Sequence, residues 1–119
     1  MLTLEEVLSD FAAYIGCDDL DQININSSSE QGKTPLHWMS VLGDNKAIKL
    51  LFEAGANIDV SDNKGNTPLH EAVIYRHYTT VITLIELGAN QNLKNLDGLT
   101  PKELALAEEY EPVIAFFNT

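Results

Sequence analysis

The sequence predicts an all-α solenoid of stacked helix-turn-helix units, joined by hairpin-like loops and closed by a cap at each end. Three observations predict it. Thr34, Thr67 and Thr100 recur every 33 residues, each followed by a proline (Pro35, Pro68, Pro101) and preceded two positions earlier by a glycine (Gly32, Gly65, Gly98). The same offset brings Gly55 and Gly88, Ala56 and Ala89, and Asn57 and Asn90 into register. Between these marks the apolar residues fall at helical spacing. A fixed period of roughly 20 to 50 residues signals stacked supersecondary units that cannot bury a core alone. The 119 residues form a single domain in this reading: an N-terminal cap over 1–28, repeats over 29–61 and 62–94, and a C-terminal capping repeat over 95–119.

The N-terminal cap carries Leu4, Val7, Leu8, Phe11, Ala12 and Ile15 on one helical face, without a Thr-Pro start. Its acidic residues, Asp18, Asp19 and Asp21 among them, read as a solvated outer face. In the repeats the start is explicit. A threonine accepts a backbone N–H, and proline then takes the first helical position, where its missing donor costs nothing. In the second repeat Leu69, Ala72 and Val73 follow as an inward stripe, the small Ala72 letting a neighbouring helix approach. A second helix is predicted over Thr79–Leu87, with Val81, Ile82, Leu84 and Ile85 as its apolar face. Gly88 ends it, since glycine adopts the left-handed conformation at little cost. The polar stretch "ANQNLKNLDG" then turns the chain. In the last unit Lys102 and Glu103 replace Leu69 and His70, and Glu108, Glu109 and Glu111 add charge, as befits a cap. Pro112 opens a final helix over Val113–Phe117 that presses Val113, Ile114, Phe116 and Phe117 inward.

Thr67 to Ala72 read T-P-L-H-E-A; Thr34 to Met39 read the same except for methionine at the last place, and Thr100 to Ala105 keep the threonine, the proline and the alanine. From about Ser29 to Phe117 the chain resembles the ankyrin repeat family, whose signature is T-P-L-H-x-A at this period. The resemblance implies that His37 and His70 bond to nearby backbone and threonine and tie one repeat to the next. It also implies a binding surface on the concave face, made of loop tips and the open side of the first helices. The residues expected there to meet a partner are Trp38, Val41, Leu42, Lys64, Asn66, Glu71, Ile74, Tyr75, Leu96, Leu99 and Glu108. Several are large and apolar, the composition of a binding hot spot.

Composition narrows the partner. Hydrophobic residues at 45% and a formal charge of -11 describe a folded, acidic chain. Seven Lys and Arg in all are too few for a phosphate backbone, so nucleic acid is excluded and a basic protein is the natural complement. No apolar run reaches the roughly 18 residues of a membrane helix, and "MLTLEEVLSD" is acidic where a secretory signal is basic. With a lone Cys17, these features lead us to expect a cytoplasmic chain.

Sites of chemistry are not indicated. His37 and His70 stand one repeat apart, roughly 10 Å for stacked helices, too far to share zinc. His77 falls in the turn between two helices. Asp59 and Asp62 lack the spacing of a calcium loop and read as solvated. No cofactor, metal or small-molecule substrate is expected. Arg76 stands where Gly43 marks the end of the first helix, and a left-handed arginine costs on the order of 1 kcal/mol. The expected function is a non-enzymatic protein-binding module, a stoichiometric inhibitor or neutralising, immunity-type protein for a basic partner. The alternative is an adaptor, scaffold or self-associating subunit working through the concave apolar face.

Overall fold

Threonine-proline pairs start three of the seven helices found among the described residues, and the repeat is built from those starts. The computed structural model describes residues 2–17 and 23–117, without the side chain of Phe116. The acidic group Asp18, Asp19 and Asp21 therefore lies outside the described residues. The helices are α1 (Leu4–Ile15), α2 (Pro35–Leu42), α3 (Asn45–Glu53), α4 (Pro68–Ile74), α5 (Tyr78–Glu86), α6 (Pro101–Ala107) and α7 (Glu111–Ile114), with a 3-10 turn over Ala115–Phe117. No strand occurs among the described residues.

Thr34, Thr67 and Thr100 sit in extended conformation, and each side chain accepts the N–H three residues on. The partner residue returns the favour. The threonine N–H donates to Nδ1 of His37 at 3.2 Å, to Nδ1 of His70 at 3.1 Å and to Oε1 of Glu103 at 3.1 Å. This is a capping box in which imidazole fills the place usually held by a Glu or Gln side chain.

α2 and α4 lie side by side, α4 and α6 likewise, with α3, α5 and α7 as the outer row and α1 against both α2 and α3. The core runs through the stack: Val7, Phe11, Leu36, Met39, Ile48, Leu51, Leu69, Ala72, Val73, Val81, Leu84, Ala105 and Val113 are all at most 2% exposed. Met39 fills the place of Ala72. The last helix differs from expectation: it starts at Glu111 and tightens into the 3-10 turn at Ala115. Val113 and Phe117 still reach the core, whereas Ile114 is half-buried.

The turn after each first helix is left-handed in all three units, at Gly43 (φ 73°), Arg76 (φ 59°) and Glu109 (φ 55°). Gly43 has a second reason to lack a side chain, because a Cβ there would lie 2.7 Å from Nδ1 of His77. His77 leans over it, and its Nε2–H donates to the Val41 carbonyl at 2.8 Å. One unit later Arg76 keeps the turn and meets Tyr110, the equivalent of His77. Its guanidinium lies 5.2 Å from the Tyr110 ring centre, and Nη2 donates to the Glu108 carbonyl at 3.1 Å.

The loops are closed by one position in each unit. Ser29, Asp62 and Asn95 each donate their N–H to the carbonyl four residues on, and their side-chain oxygens accept N–H groups of the same loop. Successive loops are laced by Asn63 N–H to the Gln31 carbonyl and Leu96 N–H to the Lys64 carbonyl, both at 2.9 Å. A Cβ on Gly65 would lie 2.8 Å from the Leu96 nitrogen, so that approach demands glycine.

Candidate protein-binding face

The histidines belong to the scaffold. Nε2–H of His37 donates to the Asn66 carbonyl at 2.7 Å, and that of His70 to the Leu99 carbonyl at 2.9 Å. With Nε2 protonated, Nδ1 is the acceptor that the threonine cap requires, so both rings are neutral. Burial holds both below the ordinary histidine range, against the raising pull of those carbonyls. All four ring nitrogens are engaged, and no group of three or more His, Cys, Asp or Glu able to hold a metal occurs among the described residues.

Five of the residues expected to meet a partner, Lys64, Asn66, Glu71, Ile74 and Tyr75, line one groove of about 300 Å³ between the first two loops and α4. Its walls are unequal. Ile74 and Tyr75 are 40% and 51% exposed. Glu71 is 2% exposed, and its Oε2 accepts from Nζ of Lys33 at 2.9 Å; the same ammonium reaches Oδ2 of Asp62 at 2.8 Å. Glu71 and Asn66, expected on the open surface, are thus buried and bonded. Asn66 gives its carbonyl to His37 and its side-chain oxygen to Nδ2 of Asn95. Asp62, expected to be solvated, is 8% exposed and works as a loop strut.

The three charges of this cluster are unevenly served. Burial pulls Lys33 down most, but its bonds to Asp62 and Glu71 outweigh that and leave it above its ordinary value. Burial likewise opposes Asp62, yet Lys33 and the N–H groups of Asn66 and Lys64 hold it below the usual carboxylate range. Burial of Glu71 prevails over Lys33 and pushes its carboxyl up. One ammonium does not fully compensate two buried carboxylates.

The remaining expected residues differ in exposure. Leu42 and Glu108 hold in α2 and α6 the position that Tyr75 holds at the end of α4, and both are exposed. Leu96 is 78% exposed at a loop tip. Val41 and Leu99 are half-buried, each lending its carbonyl to a histidine of a neighbouring segment. Trp38 is also only half-open: its ring stacks on Tyr14 with centroids 3.8 Å apart, and its indole N–H is buried with no hydrogen bond. Nothing in the 33-residue spacing points to that stack, since Tyr14 lies on α1, outside the repeated pattern.

A family model described as ankyrin repeats in three copies matches residues 9–95, well over half of the chain. The chain belongs to the ankyrin repeat family. The match takes in most of α1 and stops at the loop before α6. The α6–α7 pair still carries the ankyrin start, with its Thr-Pro cap and left-handed turn. Among curated proteins none matches this chain. Ankyrin repeats are protein-protein interaction modules, and the exposed large apolar side chains of this one are Leu42, Ile74, Tyr75, Leu96 and Leu106, with Tyr14 on α1 and Tyr78 on α5. No described helix is long and apolar enough to cross a membrane.

Proposed function

We propose that this ankyrin-repeat chain is a non-enzymatic, stoichiometric binder of a basic protein, acting as an inhibitor or neutralising protein of the immunity type. The observation that carries this reading is the pair Leu42 and Tyr75. They hold one position in successive units, at helix ends where polar residues are the norm, yet are 50% and 51% exposed. Apolar groups held out on a rigid scaffold are available to a partner without further ordering cost. Ile74 widens the patch, Leu96 extends it at the loop tips, and Lys64 and Glu108 form its polar rim. The formal charge of -11 favours a basic partner, which it would steer into encounter at low ionic strength.

Isolation of the tagged chain from its native host, with mass spectrometry of what accompanies it and light scattering of the complex, tests the proposal. A single basic protein at one-to-one stoichiometry is the expected result. A chain that instead forms concentration-dependent homo-oligomers with no companion is a self-assembling subunit, and the neutralising role fails.

A further inference from the structure

We infer that the groove between the first two loops and α4 is a slot for one arginine side chain of the protein partner. The inference rests on the proposal that the chain binds a basic protein, and adds where that partner's charge is received. Three observations meet in the groove. Glu71 is more than nine-tenths buried and lines it, and among the described residues hydrogen bonds use only its Oε2. Oε1 therefore keeps its accepting capacity and opens onto the groove. Lys33 is already shared with Asp62, so the buried ions of the cluster carry a net negative charge. Tyr75 and Ile74 form the exposed apolar wall, and Glu30 stands at the mouth.

These features match the parts of an arginine better than those of other side chains. Its methylenes lie along apolar surface while its charged head seeks an acceptor. The guanidinium plane stacks on an aromatic face, and its fork places several N–H donors toward a carboxylate. A donor from outside would complete the coordination of Glu71 that Lys33 leaves half-made. A volume of about 300 Å³ suits a single long side chain, at the low end of ligand pockets. The loop bonds Asn63 N–H to Gln31 and Asn63 Nδ2 to the Glu30 carbonyl at 2.7 Å fix the rim before anything binds.

The test is an amide-resolved NMR titration of the whole chain with Nα-acetylarginine amide, and with the neutral isostere Nα-acetylcitrulline amide. The arginine probe is expected to shift the amides of Asn63, Lys64, Ile74 and Tyr75 saturably, at millimolar concentration, and citrulline to bind at least fivefold more weakly. Tyr75→Ala, an exposed change, and Glu71→Gln, an isosteric one, are each expected to weaken the arginine probe at least threefold in a chain whose remaining spectrum is unchanged. Shifts spread evenly over the acidic surface overturn the slot, as do equal responses to the two probes. Tyr75→Ala alone decides the matter if Glu71→Gln fails to fold. A partner that still binds while the arginine probe does not defeats the slot only; a chain that captures no protein defeats the underlying reading.

Discussion

Nε2–H of His37 donates to the backbone carbonyl of Asn66 at 2.7 Å, joining the start of one helix pair to the loop that precedes the next. His70 repeats the bond to Leu99. The third unit has Glu103 instead, whose carboxylate makes the same local cap.

Replacing His37 by Ala removes the acceptor of the buried Thr34 N–H and one of the two donors to the Asn66 carbonyl, which keeps its bond from the Asp62 N–H. Net hydrogen-bond values near 1 kcal/mol each, with roughly 1–3 kcal/mol for the stranded Thr34 N–H, put the loss at about 3 kcal/mol. Urea unfolding will show it, and Glu103→Ala will cost clearly less, because only an exposed cap is lost. The histidines also predict a pH dependence. Both are held below their unfolded value of 6.5, so the unfolded chain binds protons first as pH falls. Stability is complete above that value and declines as pH drops through it toward the lower folded values. Unfolding midpoints followed from pH 8 to 5 will show the decline, and a double His37→Gln, His70→Gln variant will flatten it.

Lys33 and Glu71 are expected to respond unequally. Lys33→Met strands two buried carboxylates, and removing one partner of a buried pair typically costs about 3–5 kcal/mol. Glu71→Gln keeps the Lys33–Asp62 bond and removes the charge that burial already disfavours, so its cost is expected within about 1 kcal/mol. Chemical denaturation of the two variants decides the order; equal losses would show that the pair acts as one inseparable unit.

At position 76 two effects oppose each other. Arg76→Gly relieves left-handed strain on the order of 1 kcal/mol but gives up the Glu108 carbonyl and the Tyr110 ring. The expected net change is within about 0.5 kcal/mol, since the ion pair to Glu108 is long and both side chains are more than half exposed. Arg76→Ala keeps the strain and loses the contacts, so it is expected to be the less stable of the two by about 1 kcal/mol. Thermal melts of the two variants side by side measure the difference.

What the sequence made legible follows from range. The helix starts at Thr34, Thr67 and Thr100, the inward stripe of Leu69, Ala72 and Val73, and the glycine-ended turns are set by contacts within a few residues or by the register of the repeat. The position of Arg76 stood out as an anomaly, but its resolution did not, because the Glu108 carbonyl lies 32 residues away. Glu71 was misplaced for the same reason. On α4 alone it faces outward, and only the ammonium of Lys33, 38 residues earlier, makes its burial tolerable. Trp38 was read as an open anchor because Tyr14 belongs to a helix without the repeated pattern. The apolar exposure of Leu42 and Tyr75 was legible as a departure from the repeat at positions that local structure leaves free.

A protein partner is expected to seat on the face carrying Leu42 and Tyr75. The most direct measurement is the affinity of the co-isolated partner for the wild-type chain and for Leu42→Ala and Tyr75→Ala, by titration calorimetry, with melting temperatures in parallel. A loss of at least about tenfold is expected for each, or about 1.4 kcal/mol, at unchanged melting temperature. Full affinity in both variants would contradict it.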